Sequence, residues 1–341
     1  MIRKVLITGG AGYLGSELVN FLLKKRFKVT VLDTFYFGFD TIKHQKNLKI
    51  IHNNIESFNF KEKYDCIIDL AAISNDPTGK YFNKSTYSIN YKGRYRIAKL
   101  AKKKKIKKYI LISSCSVYGN QKKICDEKTK PKPLTQYAKC NLMAERATLK
   151  LSNKNFCVTV LRLATLFGKS NRMRLDLAIN NMVFQGLRES KIPLLRDGNQ
   201  FRPFISIEFV SKIIHRLLLT ERDKIAGEIF NIGHKNFNIQ LKKLAKEIKN
   251  ILIKKKLNQK VKIKFYGSKD NRNYFVDFTK ISRLVKIDNL SFEKEITSLV
   301  NFFQKKNLNE SQGITVDWYK NLHKWNIFLN KIKFNKNKLV K

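Results

Sequence analysis

This sequence predicts an α/β fold, a doubly wound parallel sheet followed by a smaller and discontinuous lobe. Three observations predict it. Short apolar runs alternate with amphipathic helical stretches through the first half of the 341 residues, the pattern of parallel strands joined by crossover helices. The first of those runs empties into a glycine-rich turn, and beyond Phe167 the alternation gives way to shorter, mixed pieces. In order, a strand is expected at Val5–Ile7, then an apolar helix face at Leu14, Leu18, Phe21 and Leu22. Further strands follow at Lys28–Leu32, Lys49–His52, Cys66–Leu70, Tyr109–Ser113 and Thr159–Leu163, with helices between most of them. The Lys102–Lys105 run ends one of these helices, where the dipole favours cations. Past Phe167 come a helix from about Asp176 to Arg188 and strand-like pieces around Leu194 and Phe204. A strand at Glu228–Ile232 and a Lys-rich helix over Leu241–Ile253 complete the pattern. The division expected is a first domain over 1–168 that also receives about 205–236, and a lobe from 169–204 and 237–310. A basic amphipathic tail over 311–341 closes the chain.

The glycine turn carries the most chemistry. Residues 5–15 read Val-Leu-Ile-Thr-Gly-Gly-Ala-Gly-Tyr-Leu-Gly, so Gly10, Gly12 and Gly15 satisfy G-x-G-x-x-G and Gly9, Gly12 and Gly15 satisfy G-x-x-G-x-x-G. Between a strand and a helix, such glycines allow a tight turn, close backbone approach to a pyrophosphate and close helix-on-strand packing. The helix N-terminus adds unpaired N–H groups and the positive end of its dipole. The second strand ends in Asp33, eighteen residues after Gly15, where a carboxylate can accept from adenosine ribose hydroxyls. No arginine follows it directly, which favours NAD over NADP. The sheet is therefore expected to be of the Rossmann type, with its ligand at the carboxyl ends of the strands near the switch point.

Composition narrows the remaining classes. Lys and Arg number 70 against 26 Asp and Glu, a formal charge of +44, which raises nucleic acid and anionic membranes as partners. The lysines, however, are spread over the polar sides of helices rather than gathered in one block. Neither partner is expected, although the charge would help attract a polyanionic small substrate. Cys66, Cys115, Cys125, Cys140 and Cys157 show no metal-ligand spacing, and Cys66 and Cys157 sit in strand-like apolar runs. No metal is expected. No apolar run approaches the ~18 residues that span a bilayer, and with the first strand beginning almost at Met1 no signal peptide is expected. A reducing cytoplasm fits. In the tail, Trp318, Leu322, Trp325, Leu329 and Ile332 share one helix face, a stripe that either packs on its own domain or lies on a membrane surface.

Further motifs follow the glycine turn. Leu70-Ala71-Ala72 closes the fourth strand, Asn90 lies in the next helix, and Ser113-Ser114-Cys115-Ser116-Val117-Tyr118-Gly119 ends the fifth. Tyr137 opens a helix that carries Asn141 and Glu145. Then come Leu161-Arg162-Leu163-Ala164-Thr165-Leu166-Phe167-Gly168, Arg202-Pro203-Phe204-Ile205 and Phe230-Asn231-Ile232-Gly233. With these, the chain from Val5 to about residue 300 resembles the extended short-chain dehydrogenase/reductases of the NAD-dependent epimerase/dehydratase family.

That resemblance implies NAD as cofactor, a nucleotide-diphosphate sugar as substrate, hydride transfer at C4 of the sugar, and a homodimer. It implies cofactor contacts at Gly9, Gly12, Tyr13, Leu14, Gly15, Asp33, Asn54, Ile55, Leu70, Ala71, Ala72 and Asn90, and at Tyr137 and Asn141. Asn54 would accept from the adenine amino group where family members commonly have Asp. Ser114 matches the catalytic Ser/Thr and Tyr137 the catalytic Tyr. The family's Lys, four residues after the Tyr, is here Asn141, which shares the Tyr137 helix face but supplies no charge. A phenol with its free pKa of about 10 is a poor base at neutral pH, so something nearby must favour the phenolate. The helix dipole and the cofactor's positive ring are two candidates. Three outcomes stay open: an active enzyme with a rewired base, a slow one, and a cofactor-binding protein without turnover. An RNA-binding member of the fold is a remoter one.

For the substrate, the resemblance implies contacts at Ser114, Thr165, Asn180, Arg202 and Arg272, the arginines meeting phosphate oxygens as planar forks. Arg174 either faces the substrate or pairs with Asp176. Four-six dehydratases typically carry Asp-Glu after the catalytic Thr, and Cys115 and Ser116 stand there, which disfavours dehydration. Epimerase, 4-dehydrogenase and 4-ketoreductase are not separated by the sequence.

Overall fold

The computed structural model describes residues 2–195, 197–267, 274–285, 290–306, 313–315 and 317–324. In chain order its strands are β1 (Lys4–Thr8), β2 (Lys28–Asp33), β3 (Leu48–His52), β4 (Cys66–Asp69), β5 (Lys108–Ser114), β6 (Cys157–Leu163), β7 (Thr165–Phe167), β8 (Lys191–Leu195), β9 (Phe201–Ser206), β10 (Ile229–Ile232), β11 (Asn238–Gln240) and β12 (Lys262–Tyr266). Its α-helices are α1 (Tyr13–Lys24), α2 (Asp76–Tyr81), α3 (Asn83–Tyr87), α4 (Arg94–Lys103), α5 (Gln136–Leu149), α6 (Ala178–Arg188), α7 (Ile207–Leu219), α8 (Leu241–Lys254), α9 (Thr279–Leu284) and α10 (Phe292–Lys305).

Seven strands form one sheet in the order β10-β6-β5-β4-β1-β2-β3, and every pairing in it is parallel. Parallel strands need helices on both faces, so central strands read as unbroken apolar runs rather than alternating ones. Val5, Leu6, Ile7, Ile67, Ile68, Ile110 and Leu111 are accordingly buried. Alternate residues feed two cores: Ile7, Ile68 and Ile110 pack on the face that carries α1 and α7, and Leu6, Ile67 and Leu111 on the face that carries α4. The order reverses between β1 and β4, and a crevice opens at the carboxyl ends of those two strands. Six strands fall where the apolar runs place them, within two residues at each end. β10 takes its place beyond β6, brought back to the sheet by the 229–232 segment.

Of the remaining described elements after β6, α7 packs on α1 and α9 on β10, and the others form a second group beside the sheet. β7, β9 and β11 make a three-stranded sheet in the order β11-β9-β7, and β8 pairs in parallel with β12. Against these pack α6, α8 and α10. Near the C-terminus, the Trp318 indole donates to the Tyr36 carbonyl at 2.7 Å, and the Tyr319 ring meets Tyr36, Phe37 and Phe82 edge-on. The described part of the tail thus packs on its own domain. Trp325, Leu329 and Ile332 lie outside the described residues. Among the described residues no helix is long and apolar enough to cross a membrane.

Candidate active site

A cleft of about 700 Å³ runs along the carboxyl ends of the strands, from the glycine turn to the lobe. Its floor is the β1–α1 turn. Gly9 has φ +69°, and a side chain there would sit 2.8 Å from the Ala71 backbone. At Gly15 a Cβ would lie 2.3 Å from the Gly9 carbonyl oxygen. Gly12, the N-cap of α1, has no side chain to cover the helix end. That end therefore presents backbone to the cleft, the arrangement that suits a diphosphate. Asp33 closes the turn: its carboxylate accepts from the Ala11 N–H and the Phe35 N–H, both at 2.9 Å. Burial pushes its pKa up against those bonds. Each carboxylate oxygen keeps a second lone pair for a ribose hydroxyl. Glycines that admit no Cβ beside a fixed carboxylate fit a dinucleotide.

Leu70, Ala71, Ala72, Asn54 and Ile55 line the same cleft, together with Tyr13 and Leu14. The Asn54 oxygen caps its own turn, accepting from the Glu56 N–H at 2.6 Å. Asn90 is placed differently. It is fully buried, and its amide accepts from the Ile73 N–H at 2.8 Å and donates to the Ile73 carbonyl at 2.9 Å. It fixes the loop that lines the cleft and does not itself line it.

Ser114 ends β5 and Tyr137 opens α5, and both face the cleft. The Ser114 oxygen accepts from the Ser116 N–H at 3.1 Å. Thr135 caps α5 by accepting from the Ala138 N–H at 3.2 Å, and its hydroxyl donates to Asp76 at 2.5 Å. Burial pushes the Tyr137 phenol up and Asp76 adds to this, whereas the Asn141 side chain, Arg174 and Arg94 act the other way. Asn141 is buried, one helical turn on, and its amide donates to the Tyr137 carbonyl at 3.2 Å. Behind it lies Arg94, which no sequence motif singles out. The Arg94 guanidinium donates to the Asn141 oxygen at 3.1 Å and stands 3.4 Å from Asp69.

A second buried network stiffens this wall. Arg162 on β6 holds Glu145 of α5 through three contacts of 2.7–3.1 Å. It also donates to Tyr118 at 3.1 Å, and Tyr118 donates to Asn231 at 2.7 Å. The Ser113 hydroxyl donates to Glu145. The pair clamps α5, and with it Tyr137, against β5 and β6. Cys115 is buried, its thiol donating to the Arg162 carbonyl at 3.3 Å, and burial pushes its pKa far up. It does not line the cleft. Ser116 does border the cleft, and its buried hydroxyl has no partner among the described residues.

At the lobe end, Thr165 and Arg202 line the cleft. The Arg202 guanidinium lies 5.5 Å from the centre of the Tyr274 ring and donates to the Phe201 carbonyl at 2.8 Å. Asn180 does not line it. Fully buried, its amide accepts from the Gly168 N–H at 3.0 Å and donates to the Tyr13 hydroxyl and the Arg174 carbonyl. Both of its N–H groups are committed inside the protein, and its oxygen holds the Gly168 turn beside the cleft. Arg272 lies outside the described residues. Arg174 lines the cleft and pairs bidentately with Asp176 at 2.5 and 3.1 Å. Arg172, also in the lining, has no carboxylate within salt-bridge distance among the described residues. It donates to Thr315 at 3.0 Å and covers Phe37. Burial and the charge of Arg174 bring its pKa down to about 10.

Known proteins resemble this chain along most of its length. UDP-N-acetyl-alpha-D-glucosaminuronate decarboxylase of Bacillus cytotoxicus is 26% identical over 322 residues, which cover 89% of this chain and 99% of that protein. UDP-glucuronic acid decarboxylase 1 of Arabidopsis thaliana is 25% identical over 329 residues, 91% of this chain and 72% of that one. Among solved structures, UDP-glucuronic acid 4-epimerase from Bacillus cereus, in complex with UDP-glucuronic acid and NAD, has a TM-score of 0.78 at 23% identity. The match covers 89% of this chain and 99% of that one. MoeE5 in complex with UDP-glucuronic acid and NAD has a TM-score of 0.77 at 20% identity, with the same coverage. The profile of the NAD dependent epimerase/dehydratase family matches residues 5–233, and the chain belongs to that family.

Proposed function

We propose that this protein is an NAD-dependent enzyme acting at C4 of a UDP-sugar, with epimerisation through a 4-keto sugar as the activity its cleft supports best. The observation that carries the reading is the sharing of one cleft by three groups: the glycine turn with Asp33, the Ser114–Tyr137 pair, and Arg202 in the lobe. When bound, NAD⁺ supplies a hydride acceptor that can later return what it took. The turn backbone and Asp33 would hold its diphosphate and ribose. Tyr137 would take the proton of the C4 hydroxyl and give it back, with Ser114 donating to the same oxygen, a division of labour typical of general acid–base catalysis. Arg202 would meet the substrate's diphosphate. Ser114 is followed by a buried thiol and a hydroxyl rather than by carboxylates, which speaks against loss of water from the sugar.

The test is incubation of purified protein with NAD⁺ and UDP-glucose, UDP-glucuronic acid, UDP-N-acetylglucosaminuronic acid or dTDP-glucose, followed by proton NMR and by absorbance at ~340 nm. Inversion at C4 without net reduction of NAD⁺ is expected for at least one UDP-sugar. Net NADH formation would replace the epimerase with a 4-dehydrogenase. No conversion of any sugar by protein that binds NAD would refute the activity.

A further inference from the structure

We propose that Arg94 is a positioning residue for the base: it holds the Asn141 amide in the one orientation that turns its N–H group, and the positive charge behind it, toward Tyr137. The inference rests on the reading of Tyr137 as the proton acceptor.

Arg94 opens α4 and is wholly buried. A buried charge is tolerated only where its donors are met, and four bonds meet these. Nε faces Asp69 at 3.4 Å, one terminal nitrogen donates to the Asn141 oxygen at 3.1 Å, and the other donates to the Asp69 carbonyl at 3.0 Å and to the Ile112 carbonyl. Asp69 is held in turn by the Thr8 hydroxyl at 2.6 Å and by the Tyr109 hydroxyl. The guanidinium therefore has no room to swing. Its carbonyl partners also sit at the ends of β4 and β5, so one side chain ties together the strands that lead to Ala71 and to Ser114.

The consequence for Asn141 is chemical. An amide can present either its oxygen or its nitrogen to a neighbour, and only the hydrogen-bond network decides which. A guanidinium has donors and no acceptor, so the atom of Asn141 that meets Arg94 must be the oxygen. The nitrogen then faces the other way, along the helix, toward Tyr137, whose carbonyl it meets at 3.2 Å. That bond goes to the Tyr137 main chain and fixes the amide beside the ring; against burial, the same side chain and the charge of Arg94 behind it both act to bring the pKa of the phenol down and so favour the phenolate. The other cation near Tyr137, Arg174, is matched bidentately by Asp176.

The test reads Tyr137 directly. Full-length protein carrying ¹³C at tyrosine Cζ, saturated with NAD⁺, is titrated by NMR, the Tyr137 signal being the one lost in Tyr137→Phe. Asn141→Asp keeps an oxygen for Arg94, so the fold has no reason to fail, but it removes the donor and adds a negative charge. The double variant Asp69→Asn/Arg94→Met removes the guanidinium without stranding a carboxylate. In both, ionisation of Tyr137 is expected to move up by about one pH unit or more, and adding Asn141→Lys to the double variant should reverse the shift. A Tyr137 titration unchanged in Asn141→Asp overturns the proposal, and that variant decides alone if the double variant does not fold. The titration needs no sugar nucleotide. A shift without turnover of any sugar would refute the proposed activity and leave Arg94 its role, and turnover without a shift would do the reverse.

Discussion

Gly15 and Gly12 stand three residues apart in the same turn, and replacing each by alanine should do different damage. At Gly15 an alanine methyl would lie 2.3 Å from the Gly9 oxygen and 2.7 Å from two Gly10 backbone atoms, roughly 1 Å inside ordinary contact. None of these atoms can retreat easily. The Gly9 N–H is bonded to the Leu32 carbonyl at 2.8 Å and the Gly9 oxygen accepts from Gly12 at 3.1 Å. Forcing a methyl into a packed site costs typically about 1–3 kcal/mol, and because backbone must yield here, the upper end is expected. At Gly12 the only neighbour within 4 Å is the Gly9 oxygen at 3.2 Å, which a shift of a few tenths of an ångström relieves. Gly12→Ala should therefore cost the fold less than about 1 kcal/mol. Its methyl would, however, stand where a diphosphate must approach the helix end, and NAD affinity should fall by about 100-fold, equivalent to about 2.7 kcal/mol. Urea unfolding followed by circular dichroism measures the first quantity and isothermal titration with NAD⁺ the second. Wild-type affinity in Gly12→Ala, or wild-type stability in Gly15→Ala, would refute the assignment of the turn.

Three further outcomes are expected. Glu145→Ala strands the buried Arg162 guanidinium and should cost about 3–5 kcal/mol in urea unfolding, whereas Glu208→Ala, which breaks an exposed pair with Lys212, should cost under about 0.5 kcal/mol; equal losses would contradict the clamp on α5. Tyr137→Phe removes one hydroxyl and should lower kcat by roughly 10²–10⁴ with little change in NAD affinity, so retention of kcat would remove Tyr137 from the chemistry. His215, packed between the rings of Phe21 and Phe27, has its pKa lowered by burial first and then by Lys25 and Arg216. The unfolded chain takes up that proton before the folded one does, so the stability it contributes is complete above about pH 6.5 and is lost as pH falls through the folded value. The urea midpoint should drop between pH 7.5 and 5, and His215→Gln should flatten the drop; an identical slope in the variant would exclude His215 as its source.

Much of this fold was legible in the sequence because parallel strands buried on both faces leave a signal that needs no partner to be read. The turn and Asp33 were legible for a related reason, since backbone approach to a phosphate demands glycine at set intervals. Amides were harder. The family resemblance implies Asn90 and Asn180 as ligand contacts, but the bonds their amides make to Ile73, Gly168 and Tyr13 leave no mark in the sequence. Arg94 was invisible for the same reason, 47 residues from the Asn141 it holds. Helical periodicity can place a residue on the inner face, but not say that an arginine there will find two carbonyls, a carboxylate and an amide. The pairing of β8 with β12 bridges some seventy residues and carries no local mark either.

The segment around Trp318 and Tyr319 has a kinetic meaning beyond its packing. It meets Tyr36 and Phe37, a few residues after Asp33, and Tyr319, Leu322 and His323 are among the residues that line the cleft. If a dinucleotide in the cleft lies beneath this segment, its release requires the segment to lift, and removing the residues from Trp318 onward should then speed NADH release in a stopped-flow displacement assay. Slow exchange is no burden to a catalyst that returns its hydride to the sugar it came from, because its oxidation state is restored within each cycle. A dehydrogenase, which must trade reduced for oxidised cofactor every turnover, would be throttled by the same strap.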